Sequence, residues 1–134
     1  MSSSPAVGDI IVHKEFPPIT RHRLALYCGA SGDHNPIHVD IDFAKAAGFP
    51  DAFAHGMLVM GYLGQALTDA VAPTRIRSFS TRFAAITQLG AKLTCEGTVT
   101  ELIEQGGENR AKLALTTKDQ NGEIKLAGEA IIAL

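Results

Sequence analysis

Cysteine is scarce in this chain: Cys28 and Cys95 stand alone and far apart. Two such residues make neither a disulfide framework nor a zinc site, and both read as small apolar residues in a reducing compartment. An excess of one charge is lacking too. The formal net charge of −2 gives no electrostatic reason to expect nucleic acid or an anionic membrane as partner. No apolar run is long enough to span a bilayer. The most apolar stretch, 52–67, is short and broken by His55 and Gln65. The N-terminal Met-Ser-Ser-Ser-Pro has neither a basic region nor an apolar one, so no secretory leader is expected and the cytoplasm is the expected location. Internal repeats, low-complexity runs and linkers are missing as well. What remains is one domain over 1–134, 46% hydrophobic and 19% charged, which excludes disorder and supplies a real core.

The pattern of elements divides the chain in two. Val7–Glu15 reads as a strand ended by Pro17 and Pro18, and Thr20 as the N-cap of a helix through about Ala30. A polar loop over 31–38 and a short helix over 40–47 follow. His55 to Val71 predicts one long helix, apolar nearly all round and therefore buried on most sides. Gly61 and Gly64 on it suggest close approach of another backbone. After Pro73 the period becomes two: 75–83, 92–102, 110–118 and 123–134 alternate as strands. Gln105-Gly-Gly-Glu108 and Asp119-Gln-Asn-Gly122 are hairpin turns. The expectation is α+β, a four-strand antiparallel meander joined by the first strand into a sheet that wraps the long helix.

The chemistry concentrates in Ser31-Gly-Asp-His-Asn-Pro-Ile-His38. Gly32 and Pro36 keep this segment from regular structure, while Asp33, His34, Asn35 and His38 crowd it with functional groups. Asp33 and His38 can reach one water from such a loop, as a carboxylate and imidazole acting as acid and base. His34 and His38 have the i,i+4 spacing of a helical zinc pair. Pro36 between them and the absence of a completing cluster argue against a metal. Ala54-His55-Gly56-Met57 opens the long helix, where the first amides lack intrahelical partners. The Gly56 N–H can there receive a developing oxyanion, unobstructed by a side chain. His55 reads as structural. Phe53, Met57 and Tyr62, with Phe49, are candidates for lining an acyl pocket, the alternative being plain core. Arg75, Arg77 and Arg82 are weaker candidates for carrier phosphates.

Tyr27 through Ala44 resembles the signature of the MaoC-like (R)-specific enoyl-CoA hydratases and related 3-hydroxyacyl dehydratases. Tyr27, Gly32, Asp33, Asn35, Pro36, Ile37, His38 and Ala44 fall in register, and Ala54-His55-Gly56-Met57 sits at the family's spacing. The resemblance implies a hotdog fold, a five-stranded antiparallel sheet wrapped round a central helix. It also implies catalysis without a cofactor, by Asp33 and His38 with Asn35 in the loop and the Gly56 amide as oxyanion donor. The implied reaction is syn addition of water to trans-2-enoyl thioesters, or its reverse, in fatty acid metabolism. Acyl-CoA or acyl-carrier-protein thioesters would be substrates, and a homodimer would cover the sheet's open edge. The chain departs from some short-chain relatives at Gly64, where they carry serine, so their chain-length preference does not transfer. A hotdog thioesterase and a non-catalytic acyl-thioester-binding partner subunit are the alternatives. The first usually carries an acid on the central helix, and residues 57–67 hold none. The second would be expected to lose the Asp33–His38 pair.

Overall fold

Alternation and turn chemistry produce five strands, and capping produces three helices, in the computed structural model, which describes residues 4–134. In chain order these are β1 (Ile10–Glu15), α1 (Arg21–Ser31), α2 (Ile41–Ala46), α3 (Gly56–Ala70), β2 (Ile76–Phe83), β3 (Thr94–Gln105), β4 (Glu108–Lys118) and β5 (Ile124–Ala133). Short 3₁₀ turns occupy Pro36–His38 and Pro73–Arg75. The part of the leader and single-domain readings that falls on Met1, Ser2 and Ser3 lies outside the described residues. No helix among those described is long and apolar enough to cross a membrane.

The strands form one antiparallel sheet in the order β1-β3-β4-β5-β2. Gly106 and Gly107, both at positive φ, close the β3–β4 hairpin. The next turn is held by Asp119, whose carboxylate accepts the N–H groups of Asn121 and Glu123, each at 3.0 Å. The expected four-strand meander is therefore three strands long. β2 pairs with β5 and forms the far edge, because residues 84–93 are an irregular connection too long for a hairpin. β1 also starts later than Val7, since Gly8 at φ 97 and the Asp9 N–H bonded to the Ala6 carbonyl make a turn there.

One face of α3 packs into the sheet. Leu58, Val59, Tyr62, Leu63, Ala66 and Leu67 share a core with Val12, Val99, Leu113, Leu126, Ala130 and Ile132. Strands from across the whole sheet reach one helix only if the sheet curves round it, which is the hotdog arrangement. The opposite face of α3 is not buried: Met57 is 58% exposed, and Gly61, Gln65 and Thr68 are exposed. A single sheet covers one side of a helix, so a nearly all-apolar composition did not translate into burial all round. Nor does another backbone approach the helix glycines. A Cβ on Gly61 would meet nothing within 4 Å, and one on Gly64 would touch only the Phe79 ring at 3.6 Å.

The close approach lies in the sheet instead. A Cβ on Gly128 would stand 2.1 Å from the Ser80 carbonyl oxygen and 2.7 Å from Thr81 Cα, both backbone atoms of β2. Gly128→Ala must therefore push β2 away from β5. Its expected cost is about 3 kcal/mol or more, read as a fall in the urea midpoint; an unchanged midpoint would contradict the clamp.

Candidate active site

The polar loop owes its shape to short-range bonds. Gly32, at φ 76, ends α1 in the left-handed region and donates its N–H to the Cys28 carbonyl at 3.0 Å. The Asn35 side-chain oxygen accepts the Ile37 N–H at 3.1 Å and caps the 3₁₀ turn that Pro36 begins. The Asp33 carboxylate accepts the Asn35 N–H at 3.3 Å and is otherwise exposed. Asn35 thus shapes the loop. His34 points to solvent with no partner among the described residues.

His38, at the end of that turn, is buried. Its Nδ1 lies 2.7 Å from the Phe53 carbonyl oxygen. A carbonyl can only accept, so Nδ1 carries the proton and Nε2 is left with the lone pair. The ring is thereby held in the tautomer a general base requires.

His55 lies directly beneath. Its ring stacks on that of His38 with centroids 3.8 Å apart and 24° between planes, and it meets the Tyr27 ring in a T-shaped contact at 4.6 Å. Ligand atoms of Asp33, His38 and His55 all lie within 4.8 Å of one another. Imidazole lone pairs lie in the ring plane, so two stacked rings do not converge well on a cation. The His55 Nε2 is 3.4 Å from the Asp33 carbonyl oxygen and from Cys28 Sγ, while Nδ1 is buried with no partner. The sequence marked His55 as structural because nothing local shows that an N-cap histidine will face a residue 17 positions earlier.

Gly56 is the first residue of α3, and no side chain caps the amides there. A Cβ on it would press on the Phe83 ring at 3.0 Å. The residue borders a cavity of ≈ 360 Å³ whose lining includes Phe53, Ala54, Val59, Phe83, Ile86 and Leu126. Asp33 and His38 do not line this cavity; His38 meets its rim through Phe53. Of the four acyl-pocket candidates only Phe53 lines this cavity, and Phe49 packs on it with ring centroids 4.8 Å apart. Tyr62 stacks on Phe16 at 4.6 Å inside the core, and Met57 lies on the exposed side of α3. The wall from Phe83 to Thr87 was not foreseen, because it reaches the helix start only through tertiary contact. Of the arginines, Arg75 donates to the Ala133 carbonyl, Arg77 pairs with Glu108 and Arg82 lines a separate pocket with Ser80 and Thr81, so none of the three borders the cavity beside Gly56.

Residues 3–121 match the family described as MaoC like domain. The chain belongs to that family. This MaoC-like chain is 33% identical over 116 residues to an (R)-specific enoyl-CoA hydratase of Rhodospirillum rubrum, a match that covers 85% of this chain and 78% of that one. It is 38% identical over 80 residues to the peroxisomal enoyl-CoA hydratase 2 of Arabidopsis thaliana. That match takes in 58% of this chain but only 26% of the longer plant enzyme. Among solved structures, the (R)-hydratase from A. caviae superposes with a TM-score of 0.84 at 25% identity, covering 99% of each chain.

Burial holds the His55 pKa below its ordinary 6.5, and the neighbouring His38 pushes it the same way, against the opposing carbonyl and charge of Asp33. Protonation would also place an N–H at Nδ1 with nothing to accept it. The folded chain thus binds this proton less readily than the unfolded one. Stability from this group is complete above pH 6.5 and is lost as pH falls through the lower folded value. His55→Phe keeps a ring and removes the titration. We expect its Tm to fall less steeply than that of the wild type between about pH 7 and pH 5; parallel curves would exclude the effect.

Proposed function

We propose that the protein adds water across trans-2-enoyl thioesters to give (3R)-3-hydroxyacyl thioesters, or runs the reverse dehydration. The observation that carries this reading is the convergence of the Asp33 carboxylate and the His38 ring beside the start of α3, with the His38 Nδ1 proton committed to the Phe53 carbonyl. An acid, a base held in one tautomer and unpaired helix amides beside an apolar cavity suit proton chemistry next to a carbonyl. The named hydratases to which the chain is similar support the same class of reaction.

In the hydration direction Asp33 and His38 hold a water between them. One of its protons passes to this pair as its oxygen bonds to Cβ. The Cα=Cβ electrons move toward the thioester carbonyl, and the enolate oxygen takes the Gly56 N–H as donor. The pair then returns a proton to Cα, which restores the carbonyl and leaves the site as it began. Asn35 acts at one remove, by holding the loop. The acyl chain enters beside Phe53, and the thioester is carried by CoA or an acyl carrier protein in fatty acid metabolism. β1 and β2 are the sheet's two edges, and open edges invite pairing. A homodimer that covers one of them and the exposed side of α3 is part of this reading.

The test is the loss of enoyl-thioester absorbance when the purified protein meets crotonyl-CoA. Asp33→Asn and His38→Asn should each lower kcat about 10²–10⁴-fold while leaving Tm within a few degrees of wild type. Full activity in both variants would sink the assignment. Release of free thiol without hydration would instead point to a thioesterase.

A further inference from the structure

Lys125 is 1% exposed and is the largest fully buried side chain among the described residues. It lies at the start of β5, outside the candidate site, and nothing in the proposed chemistry uses it. A buried ammonium needs partners, and three are present. Its Nζ donates to the Ile86 carbonyl at 2.9 Å, pairs with the Glu123 carboxylate, and stands 3.6 Å from the buried carboxylate of Asp119. Asp119 in turn accepts the Gln88 side-chain amide at 3.0 Å. The backbone joins in, since the Ala84 and Ala85 N–H groups donate to the carbonyl of Lys125 itself at 2.9 and 3.4 Å.

Four of these bonds, to Ala84, Ala85, Ile86 and Gln88, run from Lys125 and Asp119 to one stretch, 84–88, which has no regular ladder to hold it. That stretch forms a wall of the cavity beside Gly56. Its other side is bonded to the residues just before α3. The Ala54 N–H donates to the Thr87 carbonyl at 2.8 Å, and Phe53 faces Gln88 in an isolated antiparallel bridge. Phe53 supplies the carbonyl that holds His38. An unbroken series of bonds therefore runs from Lys125 through 86–88 and 53–54 to the His38 ring. Apolar residues of similar volume often stabilise a core as well as a buried ion pair does, so stability alone does not explain a lysine here. What the ammonium supplies, and an apolar side chain cannot, is a directional grip on one carbonyl.

We propose that Lys125, with Asp119, is a positioning residue for the candidate active site: it pins 84–88 against Phe53–Ala54 and so sets the carbonyl that aims His38. Its effect on turnover rests on the hydratase reading; its effect on His38 does not.

Two variants test this, Lys125→Met, which keeps length and volume, and Gln88→Ala, which removes one strut while keeping Lys125 and its contact with the Ile86 carbonyl. Three properties are read in each: the His38 tautomer from imidazole ¹⁵N shifts, amide exchange at Ala54 against that at Leu113 in the core, and kcat with crotonyl-CoA. In Lys125→Met, exchange at Ala54 should quicken by at least about tenfold relative to Leu113. His38 should populate both neutral tautomers, and kcat should drop about tenfold or more. Gln88→Ala should shift all three the same way by less, and it carries the test if Lys125→Met does not fold. Equal quickening at Ala54 and Leu113 with an unmoved tautomer would mean a purely structural lysine and overturn the proposal. A changed tautomer with wild-type kcat would uphold the effect of Lys125 on His38 and defeat His38 as the base of the hydratase reading. A wild type inactive toward enoyl thioesters would instead defeat the hydratase reading, leaving tautomer and exchange to decide the role of Lys125.

Discussion

The hydrogen bond from His38 Nδ1 to the Phe53 carbonyl is the contact on which the rest of the site depends. It ties the polar loop after α1 to the extended residues before α3, alongside the contacts of His55 with the His38 ring and the Asp33 carbonyl. Without it the His38 ring would be free to present either nitrogen, and the carboxylate of Asp33 would face an acid as readily as a base. With it, one nitrogen is a fixed donor to protein and the other is a fixed acceptor. The same carbonyl belongs to the residue that borders the cavity, so a single bond sets both the protonation pattern and the wall.

The stacking of His55 under His38 constrains that arrangement further. Burial disfavours a charge on His55, and the ring of His38 stacked on it adds to that effect. His55, buried deeper and without a partner on Nδ1, is the one kept neutral. The site is therefore built of unequal histidines, and their inequality comes from depth and not from sequence position.

The sequence made legible those features whose causes are local. A loop made by Gly32, Asn35 and Pro36, a helix that begins at Gly56, and strands that alternate all depend on residues a few positions apart. The placements that a local pattern does not determine depend on distant partners. β2 could not be seen to pair with β5 because alternation marks a strand but not its neighbour. Met57 and Tyr62 were equally apolar on paper, yet one turned outward and the other found Phe16 in the core. His55 and Lys125 were unreadable for the same reason. An N-cap histidine ordinarily serves its own helix, and a lysine at the start of a strand ordinarily reaches solvent. Only the fold shows that the first meets His38 and the second meets Ile86.

The cavity beside Gly56 has walls of two physical kinds. Val59, Leu126 and Phe83 stand on α3, β5 and β2, where each backbone position is held by many neighbouring bonds of similar strength. Ala84 to Thr87 and Phe53–Ala54 belong to irregular chain held by a handful of specific bonds. Local opening costs least where backbone bonds are few, so the second wall is the weaker unless something stiffens it. A buried charge does this well, because an ammonium drawn away from its carboxylates in a dry interior loses far more than a neutral donor would. The irregular wall thus gains rigidity from a charge network outside the site, and the loop that carries Asp33 and His38 is tied to that wall through one carbonyl.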